Sequence, residues 1–318
     1  MSSSTLLVDQ FALDVAEGLA LDGQKKLSPR YFYDDLGSSL FEAITLLPEY
    51  GLTRADERLL LRHAGDIASA AGSVEIVAEL GSGSGKKTEH VLRACSRRNP
   101  DLLYCPIDVS GAALAVCERE LGALFQVRII SGDWSAGLSE VARLRQTAHP
   151  LLLLFLGSSI GNLDRESIAP FLQDLRGDLQ SGDYFLLGAD LVKDVDTMLA
   201  AYDDPTGVTA AFNRNVLGRI NRELDGKFNL NSFKHEVRWN SSERRIEMHL
   251  TSLVSQTVQI DGLEKSFHFH AGETIWTESS HKFSLEELDW FARVSGFRPV
   301  ATWTDREWPF AEALWQVN

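Results

Sequence analysis

The stretch VAELGSGSGKKTEH (Val77–His90) decides how the rest of the chain is interpreted. It continues the largely apolar run VEIVAEL (Val74–Leu80), which predicts a buried strand. Three glycines then stand at alternate positions, Gly81, Gly83 and Gly85. A glycine-rich turn between a strand and a helix lets the backbone approach a ligand where a Cβ would collide. The stretch therefore predicts a strand, a ligand-binding loop and a helix.

The spacing of these glycines separates three kinds of ligand. A Walker A loop reads GxxxxGK[ST], but Gly81 and Gly85 enclose three residues and Lys86 is followed by Lys87. A dinucleotide loop reads GxGxxG, and here the third glycine comes one position early. The form ExGxGxG, which begins at Glu79, is typical of S-adenosylmethionine enzymes.

Two further strand ends carry polar residues suited to the same ligand. LLYCPIDV (Leu102–Val109) is a predicted second strand that ends at Asp108, whose carboxylate suits two ribose hydroxyls. FQVRIIS (125–131) is a predicted third strand, followed by Asp133 and Trp134, which suit the amino group and the ring of adenine. Acidic residues at strand ends are also common turn formers. Because the carboxyl ends of parallel strands meet at one edge, the three features predict one crevice.

Apolar strands alternate with helical patterns from residue 53 to residue 191, which predicts a parallel sheet covered on both faces. Thr53 and Asp56 resemble a capping box at the start of the first of these helices. After residue 194 come a broken helix and antiparallel hairpins rich in β-branched and aromatic residues. A helix over 284–295 and two strands, 298–304 and 311–317, then complete the sheet.

The composition limits the kinds of partner. The 318 residues are 44% hydrophobic, and the net charge is −14, which makes the chain a poor general binder of nucleic acid. The three cysteines are scattered, without CxxC spacing, which predicts free thiols in a reducing compartment. The N-terminal residues lack the pattern of a secretory signal, and no apolar run reaches the ~20 residues of a membrane span. We therefore expect a cytoplasmic protein with no membrane association and, since no heptads occur, a monomer.

Six longer tracts resemble the histidine Nα-methyltransferases of ergothioneine biosynthesis, from about residue 27 to the end. The tracts are LSPRYFYDDLGSSLFEAITLLPEYGLTR (27–54), ELGSGSGKKT (79–88), FLGSSIGNL (155–163), AYDDPTGVTAAFNRNVLGRINREL (201–224), WNSSERRIEM (239–248) and AGETIWTESSHKF (271–283). The resemblance implies that S-adenosylmethionine donates three methyl groups to the α-amine of L-histidine, giving hercynine. It implies an α/β fold: a Rossmann-like class I methyltransferase domain, and a second α+β substrate-binding lobe built from the N-terminus and an insertion. The expected limits are 57–194 plus 282–318 for the first and 1–56 plus 195–281 for the second.

The resemblance also implies a role for each site residue. Tyr50 and Asn162 would hold the substrate carboxylate, and Glu278 and Ser280 would bind the imidazole. Tyr33, Gly157 and Ser159 would be neighbours of the substrate amine. Phe41 and Tyr202 would form walls of the pocket, and Met248 would pack beside the imidazole ring. The cofactor set would be Gly81, Gly83, Lys87, Asp108, Val109, Asp133 and Trp134. The family loop PEYYPTR reads PEYGLTR here, so Gly51 and Leu52 depart from the pattern.

Ordinary structural roles remain open for several of these residues. Tyr33 and Tyr50 also suit positions in a core, and Met248 suits the filling of a core. Glu278 also suits a solvated position on a strand, and Asn162 suits a helix N-cap. His268 and His270 lie two apart on a predicted strand but have no third ligand, so no metal site is expected. Two other functions stay open: methylation of another amine such as tryptophan, for which Glu278 is less suited than for imidazole, and a protein-directed or non-catalytic S-adenosylmethionine-binding module.

Overall fold

The computed structural model describes residues 3–145 and 149–318, with the backbone alone for residues 3–9. The α-helices are α1 (Ser3–Leu19), α2 (Asp35–Thr45), α3 (Gly51–Ala71), α4 (Glu89–Ser96), α5 (Gly111–Leu121), α6 (Trp134–Ala142), α7 (Arg165–Asp178), α8 (Val195–Tyr202), α9 (Val208–Glu223) and α10 (Leu285–Val294). The strands are β1 (Lys25–Lys26), β2 (Ile76–Leu80), β3 (Leu103–Asp108), β4 (Gln126–Val127), β5 (Ile130–Ser131), β6 (Leu151–Phe155), β7 (Tyr184–Asp190), β8 (Phe233–Asn240), β9 (Arg245–Ser252), β10 (Gln256–Ile260), β11 (Lys265–Phe269), β12 (Thr274–His281), β13 (Phe297–Asp305) and β14 (Phe310–Val317). Short 3₁₀ helices span Pro29–Phe32, Ser159–Asn162, Leu230–Ser232 and Asp261–Leu263.

The chain divides into two compact units. The first, called here the inserted unit, comprises Met1–Tyr50 and Asp194–Ser280, and the second, called the sheet unit, comprises Gly51–Lys193 and His281–Asn318.

One large sheet organises the sheet unit. Its strand order is β13-β14-β7-β6-β2-β3-β4, and β5 also pairs with β3. β2, β3, β4, β5, β6 and β7 run parallel, whereas β14 is antiparallel to both of its neighbours. Every residue of β2 and β6 is buried, as expected for strands covered on both faces.

Two apolar layers cover the faces of this sheet. Side chains of α3, α4 and α5 form a core with one set of strand residues, including Val77 and Leu152. Side chains of α6, α7 and α10 form a core with the alternate set, including Ile76 and Leu153. The expected Rossmann-like α/β fold is confirmed. The strand order reverses at β2, which lies between β3 and β6, and open α/β sheets bind ligands beyond the carboxyl ends of the strands at such a point.

The inserted unit contains a smaller sheet with the order β1-β12-β9-β8. β8 and β9 form an antiparallel hairpin, as do β10 and β11 in a separate two-stranded sheet. Helix α9 meets this sheet through Asn213, whose amide donates to the His249 carbonyl and accepts from Thr277 Oγ1.

Two local expectations are wrong. The third predicted strand is divided into β4 and β5, with Arg128 and Ile129 between them. The capping box is absent because α3 already begins at Gly51, so Asp56 lies inside the helix, where it is fully buried. Its carboxylate has another use, described below.

Candidate active site

The glycine loop after β2 has the conformation that its sequence predicts. Gly81, Gly83 and Gly85 have φ angles of 65°, 54° and 68°. These angles lie in the left-handed region that side chains other than glycine disfavour. The Gly81 N–H donates to the Ile107 carbonyl at 2.8 Å, which ties the loop to the end of β3.

The three glycines differ in what surrounds them. A Cβ added at Gly83 would meet nothing within 4 Å, and one at Gly81 would lie 3.5 Å from Trp134 Nε1. A Cβ at Gly85 would lie 2.9 Å from Cys117 Sγ. Gly81 and Gly83 therefore leave open space above the backbone, whereas Gly85 is required by packing below the loop.

Asp108 lies at the end of β3 with its carboxylate turned to the same loop. Oδ2 accepts from the Gly83 N–H at 2.9 Å, and Oδ1 accepts from the Ser110 N–H at 2.8 Å. Each oxygen retains a lone pair for a further donor. The next residue, Val109, has 55% of its surface exposed, which is unusual for a valine beside a buried strand.

Asp133 and Trp134 begin helix α6 beyond β5. The Asp133 carboxylate is the N-cap and accepts from the Ala136 N–H at 2.9 Å. The Trp134 ring packs edge-on against Phe155 at a centroid distance of 4.8 Å, and its Nε1 is turned toward Gly81. The structure thus brings the predicted adenine residues and the glycine loop to the same end of the sheet.

Lys87 connects this loop to the turn after β6. Its ammonium forms an ion pair with the buried Asp56 carboxylate of α3, and a Cβ at Gly157 would lie 3.2 Å from Lys87 Nζ. Asp56 Oδ2 also accepts from the Gly157 N–H at 2.9 Å. Burial alone would lower the pKa of Lys87, but the attraction and hydrogen bond of Asp56 outweigh it, so this pKa is raised.

The turn after β6 is strained. Gly157 and Ser158 have φ angles of 71° and 59°, and the left-handed region costs a non-glycine residue about 1 kcal/mol or more. Ser158 is held there because its Oγ accepts from the Asp190 N–H at 2.9 Å. Ser159 and Asn162 follow in a 3₁₀ helix, and the N-cap of α7 is Asp164, so Asn162 is not a helix cap.

The presence of glycine at position 51, one of the two departures from the family pattern, is explained by a steric contact with Trp308. A Cβ there would lie 2.2 Å from Cε3 of Trp308, whose Nε1 donates to Asp190 at 2.9 Å. Leu52 is buried. A larger residue at position 51 therefore requires the indole to move.

Two buried acids below the loop, Glu79 and Glu312, were not predicted as site residues from the sequence. Glu79 accepts from Thr88 Oγ1 at 2.8 Å and from the Tyr104 hydroxyl at 2.5 Å. Burial raises the pKa of Glu79 to about 7, against the lowering effects of Tyr104, Lys87 and Thr88. Glu312 on β14 is equally buried, and its pKa is raised well above the ordinary value by burial and by Asp56. The first letter of ExGxGxG could have indicated Glu79, but no local signal indicates Glu312.

Four predicted substrate residues of the inserted unit form a chain of aromatic rings. The centroids of Tyr33 and Phe41 are 5.6 Å apart, those of Phe41 and Tyr50 are 6.4 Å apart, and those of Tyr50 and Tyr202 are 6.1 Å apart. These residues come from the end of a 3₁₀ helix, from α2, from the segment before α3 and from α8. The tertiary fold of this unit therefore assembles them from four separate segments.

The same chain of rings ends at β12. The Tyr202 hydroxyl donates to Ser280 Oγ at 2.7 Å, and both side chains are buried. Glu278 lies two residues earlier on β12 and is half-buried, and its carbonyl accepts from Trp276 Nε1. Met248 is buried on β9, where its carbonyl oxygen lies 3.0 Å from Thr277 Oγ1.

Among residues 3–145 and 149–318, no group of three or more His, Cys, Asp or Glu side chains is arranged to hold a metal ion. The rings of His268 and His270 are 4.7 Å apart. In the same part of the chain, every helix is too short or too polar to cross a membrane.

The strand order, the glycine loop and the polar strand ends together define a class, the S-adenosylmethionine-dependent methyltransferases. The chain belongs to the family described as "Histidine-specific methyltransferase, SAM-dependent", whose model matches residues 11–317.

Relatives of known name agree with this family. The chain is 41% identical to "Histidine N-alpha-methyltransferase" of Mycolicibacterium smegmatis over 306 residues, which cover 95% of this chain and 93% of that protein. The protein of the same name from Mycobacterium tuberculosis is 41% identical over 305 residues, with the same coverage. "Ergothioneine biosynthesis protein 1" of Neurospora crassa is 27% identical over 299 residues, which cover 89% of this chain and 32% of that protein.

The residues of the sheet unit fit S-adenosylmethionine, the cofactor of the family. Asp108 has acceptor capacity left for ribose hydroxyls, and the space above Gly83 would be filled by any side chain there. Lys87 offers a cation for a carboxylate at the turn after β6.

Proposed function

We propose that this chain transfers three methyl groups to the α-amine of L-histidine, giving hercynine in the first step of ergothioneine biosynthesis. The observation that carries the proposal is the match of residues 11–317 to a histidine-specific methyltransferase family. It is supported by 41% identity, over nearly the whole chain, to proteins named histidine N-alpha-methyltransferase. The protein named for ergothioneine biosynthesis supports the pathway.

The sheet unit holds the cofactor in this proposal, and the inserted unit supplies most of the residues that bind histidine. S-adenosylmethionine supplies, when bound, a methyl group on a sulfonium, and the N–C bond to the substrate forms as the C–S bond breaks. Asp108 accepts from the ribose hydroxyls, Asp133, Trp134 and Val109 surround the adenine, and Lys87 neutralises the carboxylate. The domain limits predicted from the sequence, 57–194 plus 282–318 and 1–56 plus 195–281, differ from those of the two compact units by one to six residues.

The substrate residues act by positioning. Tyr50 and Asn162 hold the carboxylate of histidine, and Tyr33 with the Gly157–Ser159 turn orients the amine, while Phe41, Tyr202 and Met248 shape the pocket. The aromatic chain described above supports this assignment because it gives Tyr33, Phe41, Tyr50 and Tyr202 a common setting in one unit. Methyl transfer to an amine needs a lone pair aimed at the methyl group, so orientation supplies most of the rate enhancement.

The amine must lose its proton before each transfer. An apolar, aromatic setting disfavours the ammonium form, and so does a nearby sulfonium. Phenol and backbone groups orient the neutral amine without forming an ion pair with its charged form. Glu278, the carboxylate proposed to bind substrate, is assigned to the imidazole, where with Ser280 it satisfies both ring nitrogens. A site of this kind rejects an apolar side chain because its polar groups would be left unpaired.

Mass spectrometry of the purified protein with S-adenosylmethionine and single free amino acids tests the proposal. We expect histidine alone to gain three methyl groups, with no protein substrate present. Methylation of tryptophan instead of histidine would overturn the assignment of Glu278 and Ser280. Methylation of a protein but of no free amino acid would indicate the protein-directed alternative.

Two further properties belong to the proposal. The chain acts in the cytoplasm, supported by three buried free cysteines, and it acts as a monomer. Light scattering during size-exclusion chromatography, with and without S-adenosylmethionine, tests the oligomeric state.

A further inference from the structure

Two carboxyl groups meet in the interior of the sheet unit, below the glycine loop. Asp56 on α3 and Glu312 on β14 both have 0% of their surface exposed. Asp56 Oδ2 accepts from the Gly157 N–H and from Lys87. Asp56 Oδ1 and both carboxyl oxygens of Glu312 are buried without a donor when both groups are ionised. One lysine thus faces two acids at the turn where methyl transfer is proposed to occur.

A proton shared by the two carboxyl groups supplies the hydrogen-bond donor that these buried oxygens otherwise lack. The side chains of Glu312 and Asp56 face each other, and ionised carboxylates can only accept, so the two can hydrogen-bond only when one of them carries a proton. Asp56 already faces the Lys87 cation and the Gly157 N–H, which stabilise its anion. Glu312 has no such donors, and burial together with the neighbouring Asp56 raises its pKa well above the ordinary value. The proton therefore resides on Glu312.

The backbone of the sheet leaves space for this pair. Gly188 on β7 is paired in register with Glu312, and a Cβ there would lie 3.0 Å from Glu312 Oε1 and 3.2 Å from the Gly157 nitrogen. On the other side, β13 presents Trp303 to Glu312 in register. The charged or titratable groups that act on Glu312 are Asp56 from α3, Lys87 from the glycine loop and Glu79 from β2.

We propose that Glu312 is a positioning residue for methyl transfer: as a neutral acid it donates to Asp56, which then holds the Lys87 ammonium and the Gly157 amide at the cofactor site. The proposal rests on the assignment of Lys87 and Gly157 under Proposed function. An ionised Glu312 would add a second buried anion beside Lys87. The site would then disfavour the carboxylate of S-adenosylmethionine, so affinity for the cofactor would fall at alkaline pH.

Calorimetric titration with S-adenosylhomocysteine from about pH 6 to about pH 10 tests this pair. The wild-type protein should lose about tenfold in affinity toward the alkaline end, through loss of a charge-assisted contact. Glu312→Gln, whose amide NH₂ can replace the carboxyl O–H, should bind within about threefold of wild type at neutral pH and lose the alkaline decline. Asp56→Asn should bind about tenfold or more weakly at every pH because Lys87 loses its partner. Glu307→Gln, an exposed glutamate nearby with a 78% exposed side chain, should retain the wild-type profile.

An alkaline decline that persists unchanged in Glu312→Gln would overturn the proposal, and so would a wild-type affinity that stays constant to the alkaline end. A second measurement, by infrared spectroscopy, does not depend on the folding of the Glu312 and Asp56 variants. Infrared spectroscopy with ¹³C-glutamate labelling, in the Glu79→Gln background, should show a protonated glutamate C=O band above neutral pH. Absence of that band also contradicts the proposal. If the wild type trimethylates histidine but these results fail, only the role of Glu312 falls, whereas a wild type that binds no S-adenosylhomocysteine refutes the proposed function itself.

Discussion

The two units present their candidate residues on different kinds of backbone. In the sheet unit, the loop after β2, Asp108, Asp133 and the Gly157 turn all follow the ends of parallel strands in one sheet. In the inserted unit, the corresponding set comes from the end of a 3₁₀ helix, two α-helices, the segment before α3 and β12, joined by ring contacts and one buried hydroxyl pair. The first set is held by backbone geometry and charge, and the second by packing. The two sets should therefore respond differently to substitution.

The largest effect is expected at the charged connection of the sheet unit. Lys87→Met removes the partner of the buried Asp56, which should lower the free energy of unfolding by about 3 kcal/mol. Affinity for S-adenosylhomocysteine should fall about 100-fold as the cation for its carboxylate is lost. Calorimetry and thermal unfolding measure both. Lys86→Met, at the exposed neighbouring lysine, is the control. It should change the affinity by no more than about twofold and the free energy of unfolding by no more than ~0.5 kcal/mol. Equal effects of the two substitutions would refute the assignment of Lys87.

In the inserted unit, Glu278→Gln should separate the two sites. It replaces the carboxylate proposed to bind imidazole, so kcat/KM for histidine should fall about 100-fold. Affinity for S-adenosylhomocysteine should stay within about twofold of wild type, since the cofactor residues belong to the other unit. Glu42→Gln, at an exposed position of α2, is the matched control. Unchanged histidine kinetics in Glu278→Gln would contradict the imidazole assignment.

Two glycines of one loop can be compared directly. Both Gly83→Ala and Gly85→Ala place a side chain at positive φ, which costs about 1 kcal/mol. Only the second adds a clash, with Cys117 Sγ at 2.9 Å, so it should be less stable than the first by about 1–2 kcal/mol in urea unfolding. Gly83→Ala should instead weaken cofactor binding more than its stability loss explains. The reverse order of stabilities would mean that the loop packs differently.

Removal of one oxygen tests the link between the aromatic chain and β12. Tyr202→Phe removes the hydroxyl that donates to Ser280 Oγ, and we expect a loss of about 1 kcal/mol in stability and about a fivefold rise in KM for histidine. A double-mutant cycle with Ser280→Ala measures the coupling directly, which should be about 1 kcal/mol. Additive effects of the two substitutions would mean that the hydroxyl pair carries no coupling.

The smallest expected effect is the contribution of Glu79 to the dependence of folding stability on pH. Its pKa of about 7 in the folded protein exceeds the ordinary value of 4.5, so the folded state binds more protons between these values. This group therefore makes the folded protein less stable as the pH rises from about 5 to above 7. Glu79→Gln removes that dependence, so the stability of the variant relative to wild type should improve by about 1 kcal/mol between pH 6 and about pH 9. Glu120→Gln, at an exposed glutamate of α5, should show no such trend in thermal unfolding.

Much of the sheet unit follows from local sequence because its signals are local. Glycine spacing determines which backbone angles the loop can adopt, and apolar runs such as 151–156 determine which strands are buried. The observed β3 begins and ends within one residue of its predicted limits, Leu102 and Val109. The third strand was less predictable, since its division at Arg128 and Ile129 depends on pairing with β3.

The candidate residues of the inserted unit were predictable only by resemblance to a family. Nothing local distinguishes Tyr33, Tyr50 or Tyr202 from core aromatics, because their significance lies in the contacts they make with one another. Their roles toward histidine remain predictions. The role of Asp56 was also not predictable locally, because its partners lie 31 and 101 residues away along the chain.

The sequence by itself determined the parallel sheet, the glycine loop, the acidic strand ends and the family to which the chain belongs. Each of these depends on the order and spacing of neighbouring residues, which is what a sequence records. Only the tertiary structure decided that Asp56, Lys87 and Glu312 meet in a buried cluster, and that Trp308 requires glycine at position 51. Burial, charge pairing and steric exclusion arise between segments far apart in the chain, and they acquire their magnitude only when folding removes water from between them.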